Sequence, residues 1–187
     1  MRDNDILRTL IAIVSPQVNA ILGKDVPFLQ SFQPTMQGVP EDIVIYINKI
    51  DSSNYGSPRI SHEFQQQLFD HDPLVYNDFE QQKLYQRLST WQINARSQQD
   101  PSDVNSLTAN DIVNIVADVL NCPYTIDELW KREIGIDRIT DIRILYDKND
   151  KDQFEQVPSF DFKLNYTHSY STTVPNADRI GCDIHRI

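Results

Sequence analysis

Two spacings of apolar residues alternate along this chain. Ile6, Leu7, Leu10, Ile11 and Val14 recur every three to four positions, and Val18, Ile21 and Leu22 continue the stripe to Gly23. That period predicts an opening helix, capped by Asp3 or Asn4, with Asp5 in its first turn and Gly23 as its stop. Pro16 inside the run predicts a kink or a restart, because proline removes a helical hydrogen bond. Phe28, Ser31, Phe32 and Gln33 suggest a short strand, and Pro34, Gly38 and Pro40 mark a turn-rich connection. In the octet from Ile43 to Ile50 apolar residues occupy both parities, which predicts an interior strand covered on both faces over part of its length.

The central stretch joins the two periods. Trp91, Ile93 and Ala95 alternate with Gln92, Asn94 and Arg96, as a strand with one buried and one wet face requires. After a polar break, Ile112, Val113, Ile115, Val116, Val119 and Leu120 return to helical spacing behind the start signal of Thr108 and Asp111. Thr125 to Glu128 reads as a capping box opening a shorter helix that carries Ile126, Leu129, Trp130 and Ile134 and stops at Gly135. Residues 136–146 predict a strand with Ile142, Ile144 and Tyr146 on one face. A charged connection over 147–152 leads to the most regular alternation, Phe160, Phe162, Leu164, Tyr166, His168 and Tyr170.

This order predicts an α+β fold, a mostly antiparallel mixed sheet packed under two main helices. Residues 51–84 fit it least. They are polar, glutamine-rich and weakly patterned, and a structureless loop of that length is unusual in a compact domain. The expectation is one domain over 1–187, with a long protruding hairpin or arm inserted at about 51–84 and a C-terminal tail from about 175. A disordered surface excursion is the alternative for the insertion.

Composition and charge narrow the function more by exclusion than by assignment. A formal charge of −10 opposes a nucleic-acid clamp, which needs clustered cations; it suits solubility, or a passage along which polyanions slide without sticking. Cys122 and Cys182 have no metal-ligand spacing and fit a reducing, cytoplasm-like compartment as inert thiols. No stretch reads as an uninterrupted membrane span, and the opening apolar run, broken by Arg8 and Thr9, reads as a helix in place of a signal peptide.

His62, His71, His168 and His185 form no ligand motif. Cys182 with His185 is too small a set for zinc, and His71-Asp72 reads as a turn pair. No nucleophile elbow or phosphate loop occurs, and Asp150, Asp152 and Glu155 lack the glycine and terminal glutamate of a calcium loop. The expectation is therefore no enzyme, no cofactor and no metal. Aromatics in the insertion are more suggestive, since aromatic anchors in polar surroundings are what interface hot spots use. Phe64, Phe69, Tyr76 and Phe79 are the candidate contacts with a neighbouring subunit, and Gln92, Asn94 and Arg96 form a second candidate surface. The same aromatics could instead fold back on the parent sheet.

With these elements placed, the chain resembles the tail terminator and neck proteins of tailed bacteriophages. The resemblance rests on Leu10, Ile11, Ile13 and Val14, on Phe28 to Pro34 ahead of Ile43 to Ile47, and on Thr90 to Ala95 followed by the helix Asn110 to Leu120. It extends through the strands Ile139 to Tyr146 and Phe160 to Tyr170 to the closing Thr173 to Ile180, leaving out 51–84. It implies a structural virion protein, assembled in the host bacterial cytoplasm, that forms a homo-oligomeric ring, usually a hexamer, at the neck. Such a ring joins the tail tube to the head connector or a portal-side adaptor, with DNA only passing through and no membrane involved. The family has no catalytic residues to carry over. The rival expectation is a monomeric adaptor or regulatory module that binds one protein through the 51–84 arm.

Overall fold

The computed structural model describes residues 2–30, 43–64, 79–97, 105–148 and 154–174. Helix α1 spans Asp3–Leu22 and buries Ile6, Leu7, Leu10, Ile13, Val14 and Val18. Its N-cap is Arg2, whose backbone N–H donates to Asp5 Oδ2 at 3.1 Å, so the start lies just before the predicted Asp3 or Asn4. Pro16 sits inside the helix without ending it. It is exposed, as is Ala12, whose carbonyl would have received the missing bond, so water can take that role. Gly23 closes α1 at φ +66, a left-handed position that glycine adopts without steric cost. By length and composition α1 is apolar enough to cross a membrane, which corrects the sequence reading on that point. Its apolar stripe is nevertheless part of the buried core.

The described strands form one sheet in the order β1-β2-β3-β6-β4, with β5 also paired to β6. They are β1 (Phe28–Gln30), β2 (Ile43–Phe64), β3 (Phe79–Ser97), β4 (Ile134–Ile139), β5 (Arg143–Lys148) and β6 (Phe154–Val174). Only the short β1 runs parallel to its neighbour; every other pairing is antiparallel. Helices α2 (Ala109–Asn121) and α3 (Pro123–Trp130) complete an α+β fold.

One side of the sheet builds the core with the helices. Ile43, Ile45 and Ile47 from β2, Trp91, Ile93 and Ala95 from β3, and Phe160, Phe162, Leu164 and Tyr166 from β6 join Ile112, Val113, Val116 and Leu120 of α2 in one buried cluster. Val44, on the opposite side of β2, is also fully buried, so this strand is covered on both faces there, as its two-parity pattern predicts. Trp91 satisfies its indole N–H within the core by donating to Ser89 Oγ at 2.8 Å.

Two sequence expectations need correction. The strand predicted over 136–146 is two strands, β4 and β5, laid end to end along β6. They are broken where the Thr140 N–H donates to the Asp161 carbonyl at 2.8 Å and Thr140 Oγ1 accepts from the Asp161 N–H at 2.9 Å. Gly135 lies in β4 and does not end a helix. A Cβ there would stand 2.3 Å from Oδ1 of the Asn165 side chain on the paired strand, so the amide of Asn165 fills the space that a side chain at 135 would need.

The strands continue far past the helices. β2 pairs with β3 from Ile43↔Ser97 to Phe64↔Phe79, and β3 pairs with β6 from Asn94↔Ser159 to Phe79↔Val174. Register shifts lie between Lys49 and Asp51 and between Tyr55 and Arg59. The first reverses which side chains share a face with β3, and the second leaves the faces as they are. The second contains Gly56 at φ +74 and Pro58, residues suited to an interrupted ladder.

Candidate assembly surface

Three surface regions are candidates for contact with a partner, and each arises from where the core stops. The first is the sheet face turned away from the helices. Gln92, Asn94 and Arg96 alternate with the core residues of β3, as predicted, but all three are half-buried. Gln92 Nε2 donates to Asp161 Oδ1 at 3.1 Å, and the Arg143 guanidinium pairs with the other Asp161 oxygen. This cross-strand network ties β3, β6 and β5 together. The half-exposed ion pair within it contributes under about 1 kcal/mol, so its main effect is on register.

The second region is the continuation of β2, β3 and β6. Phe64 and Phe79 stand opposite one another in the ladder. Phe69 and Tyr76 lie outside the described residues, as do His71, Cys182, His185 and the chain after 174. Alternation fixes the two faces of the described part. On the side that continues the helix-facing surface, the pairings place Ile60 beside Lys83 and Lys83 beside Tyr170, with Tyr85 beside His168. Arg87 on the same side reaches Asn54, with Nε donating to Oδ1 at 3.3 Å. Ile60 and Tyr170 are 49% and 58% exposed, and none of the described helices covers this part of the sheet. Tyr55 is exposed on the opposite side.

The third region is α3. The helix starts at Pro123 with Cys122 as its N-cap, so Thr125 is an interior residue and not the predicted cap. Thr125 is fully buried, and its Oγ1 accepts from Gln17 Nε2 of α1 at 2.9 Å. Gln17 Nε2 also donates to the Ile13 carbonyl at 2.9 Å. That junction sets the rotation of α3, so the stripe Thr125 and Leu129 turns inward. Ile126 and Trp130, one residue on in each case, turn outward, and Trp130 is 76% exposed. Tyr124 is exposed on the same short helix, and Ile21, one turn beyond Gln17 on α1, is 60% exposed.

The sequence reading listed Ile126, Leu129 and Trp130 together as the apolar residues of this helix, without separating the inward from the outward ones. The available signal was the length of the helix: eight residues bury only a narrow stripe, so four large apolar residues over-supply it.

The charges near these surfaces have structural explanations. A hydrogen bond from Lys131, at 2.7 Å, holds the Glu128 carboxyl below its usual range, and the same contact raises the Lys131 ammonium. Arg132 lies 3.6 Å from the other Glu128 oxygen. At α2, the Thr108 hydroxyl and backbone N–H both donate to Asp111 Oδ2, lowering that carboxyl, while Thr108 Oγ1 accepts from the Asp111 N–H at 3.1 Å. This is the reciprocal cap that the sequence predicts. Among the described residues no group of three or more His, Cys, Asp or Glu could hold a metal ion.

A family model described as E217 gateway protein gp29 matches residues 5–176. The search of curated proteins finds no match. Among solved structures, one similar chain is the PVC sheath/tube terminator of an extracellular contractile injection system in its extended state. It is 10% identical with a TM-score of 0.42, and the alignment covers 100% of this chain and 64% of that one. The chain thus spans less than two thirds of that terminator's length, and a likeness this weak carries no functional argument.

Proposed function

The chain belongs to the E217 gateway protein gp29 family of phage structural proteins, and from that membership we propose that it forms a closed ring at the phage neck or tail terminus. The family match over residues 5–176 carries the reading. In this proposal the ring contains identical subunits, six in the arrangement that the resemblance implies, seated between the tail tube and the head connector. The whole chain acts as one unit, with residues 51–84 as an arm that grips a neighbour.

Several physical features support a scaffold in this role. The identifiable polar networks tie strands and helix ends together. The described strands run past the helical layer and expose apolar side chains there, as an arm designed for contact would. A chain of formal charge −10 can also line a channel that repels phosphate, letting DNA pass without being held.

The test is native mass spectrometry of the purified chain, with negative-stain imaging of the same sample. The expected result is one closed species at an integer multiple of 21.7 kDa, seen as a ring with a central hole. A monomer that forms a 1:1 complex with a single partner, and never a ring, would establish the adaptor role instead.

A further inference from the structure

Two of the exposed regions complement each other in chemistry, and they lie on different parts of the chain. The helix-facing side of the strand extension presents Ile60, Tyr85 and Tyr170 with Lys83 and Arg87. Along its described positions, from Ser52, Asn54 and Ile60 of β2 through the odd residues 81–89 of β3 to the even residues 166–172 of β6, there is no carboxylate. In a chain of formal charge −10, a cationic aromatic face of this extent stands out from the average surface.

The outward side of α3 has the opposite balance. Trp130, Ile126 and Tyr124 form its apolar part. Asp127, Glu133 and Asp137 stand exposed nearby against the exposed cation Arg138, while the cations Lys131 and Arg132 are both engaged by Glu128.

We propose that the Lys83–Tyr170 face of one copy docks on the Trp130 face of α3 of a second copy. The proposal rests on the ring reading above and supplies its contact. Charge decides against the simpler alternative in which each patch meets its own image. Self-pairing would set Lys83 and Arg87 against their copies, and like charges across an interface are costly. Cross-pairing sets cations against carboxylates and places tyrosines beside a tryptophan, residue types that dominate interface hot spots. Because the two patches differ, the contact is head-to-tail, the kind that generates a closed ring when the rotation between copies permits.

The experiment uses the full chain with Cys122→Ser and Cys182→Ser, and a short bis-maleimide cross-linker. Tyr170→Cys and Trp130→Cys are made separately and together. The expected result is a cross-linked dimer when the two single variants are mixed, none from either alone, and a ladder ending at the ring size from the double variant. A dimer from Tyr170→Cys alone would overturn the proposal, since it would show self-pairing. Native rings without cross-links in the mixture would also overturn it while leaving the ring reading intact; absence of both rings and cross-links would sink the two together. As a second measurement, Lys83→Glu with Arg87→Glu should weaken association by about tenfold or more, and Asp127→Lys in the partner copy should restore part of it. Equal association of the charge-reversed and native chains would refute the pairing.

Discussion

Leu129 and Trp130 are adjacent in sequence, yet the structure assigns them opposite energetic roles. Leu129 is fully buried beneath α3, so Leu129→Ala removes packed atoms and leaves a cavity. Substitutions of that kind cost about 2–5 kcal/mol. Trp130 is 76% exposed, so Trp130→Ala should change the stability of the isolated subunit by no more than about 0.5 kcal/mol. The assay is urea unfolding at a protein concentration low enough to dissociate any assembly, because association would add its own stabilisation. Trp91 supplies the signal in both variants, being buried in the core with its indole bonded to Ser89. With a slope of about 2 kcal/mol per molar urea, Leu129→Ala should lower the midpoint by roughly 1–2.5 M. Trp130→Ala should leave it almost unmoved. A loss above about 2 kcal/mol for Trp130→Ala in dissociated protein would place that side chain in the core. It would refute both the rotation of α3 set by the Gln17–Thr125 contact and the docking surface built on it.

Other consequences are equally direct. Thr108→Ala should cost about 1 kcal/mol through loss of the α2 cap, read as a shifted thermal midpoint. Because the folded state lowers the Asp111 carboxyl, its stabilising contribution is complete above the ordinary aspartate range, about pH 4, and is lost as pH falls through the lowered value. The stability gap between native chain and Asp111→Ala should therefore narrow in acid; a gap that widens there would contradict the cap. Gly135→Ala should destabilise by about 1–2 kcal/mol through its approach to Asn165, and Asn165→Ala in the same chain should recover part of the loss. Tyr166 buries a hydroxyl that has no hydrogen-bond partner among the described residues, so Tyr166→Phe should leave stability unchanged or raise it by up to about 1 kcal/mol in the same unfolding assay.

The sequence revealed the core more fully than the surfaces. Alternation across Trp91 to Ala95 and Phe160 to Tyr166 identified the buried side of two central strands, since a period of two leaves little freedom once one face is apolar. Helical spacing likewise identified the buried stripes of α1 and α2. The misses arose where long-range contacts overrode local pattern. Thr125 and Glu128 have the spacing of a cap, but Thr125 is buried against Gln17, 108 residues earlier, and Glu128 bonds Lys131. The break between β4 and β5 depends on bonds between Thr140 and Asp161, which no local periodicity reports.

The candidate surfaces were harder still. Gln92 looks free in sequence because its partner, Asp161, is distant along the chain. Trp130 looks buried because single-helix patterns cannot reveal which of two adjacent apolar stripes a short helix turns inward. Ile60 and Tyr170 share a face only because the first bulge of β2 has reset its parity, and a bulge leaves little trace in residue patterning.

The account's central claim is a ring at the neck, and cryo-electron microscopy of intact phage particles containing this chain tests it most directly. The predicted result is density for this fold at the junction of head and tail, repeated as a closed ring of identical subunits around an open channel. Particles that lack the chain, or that hold it as a single copy elsewhere, would contradict the claim.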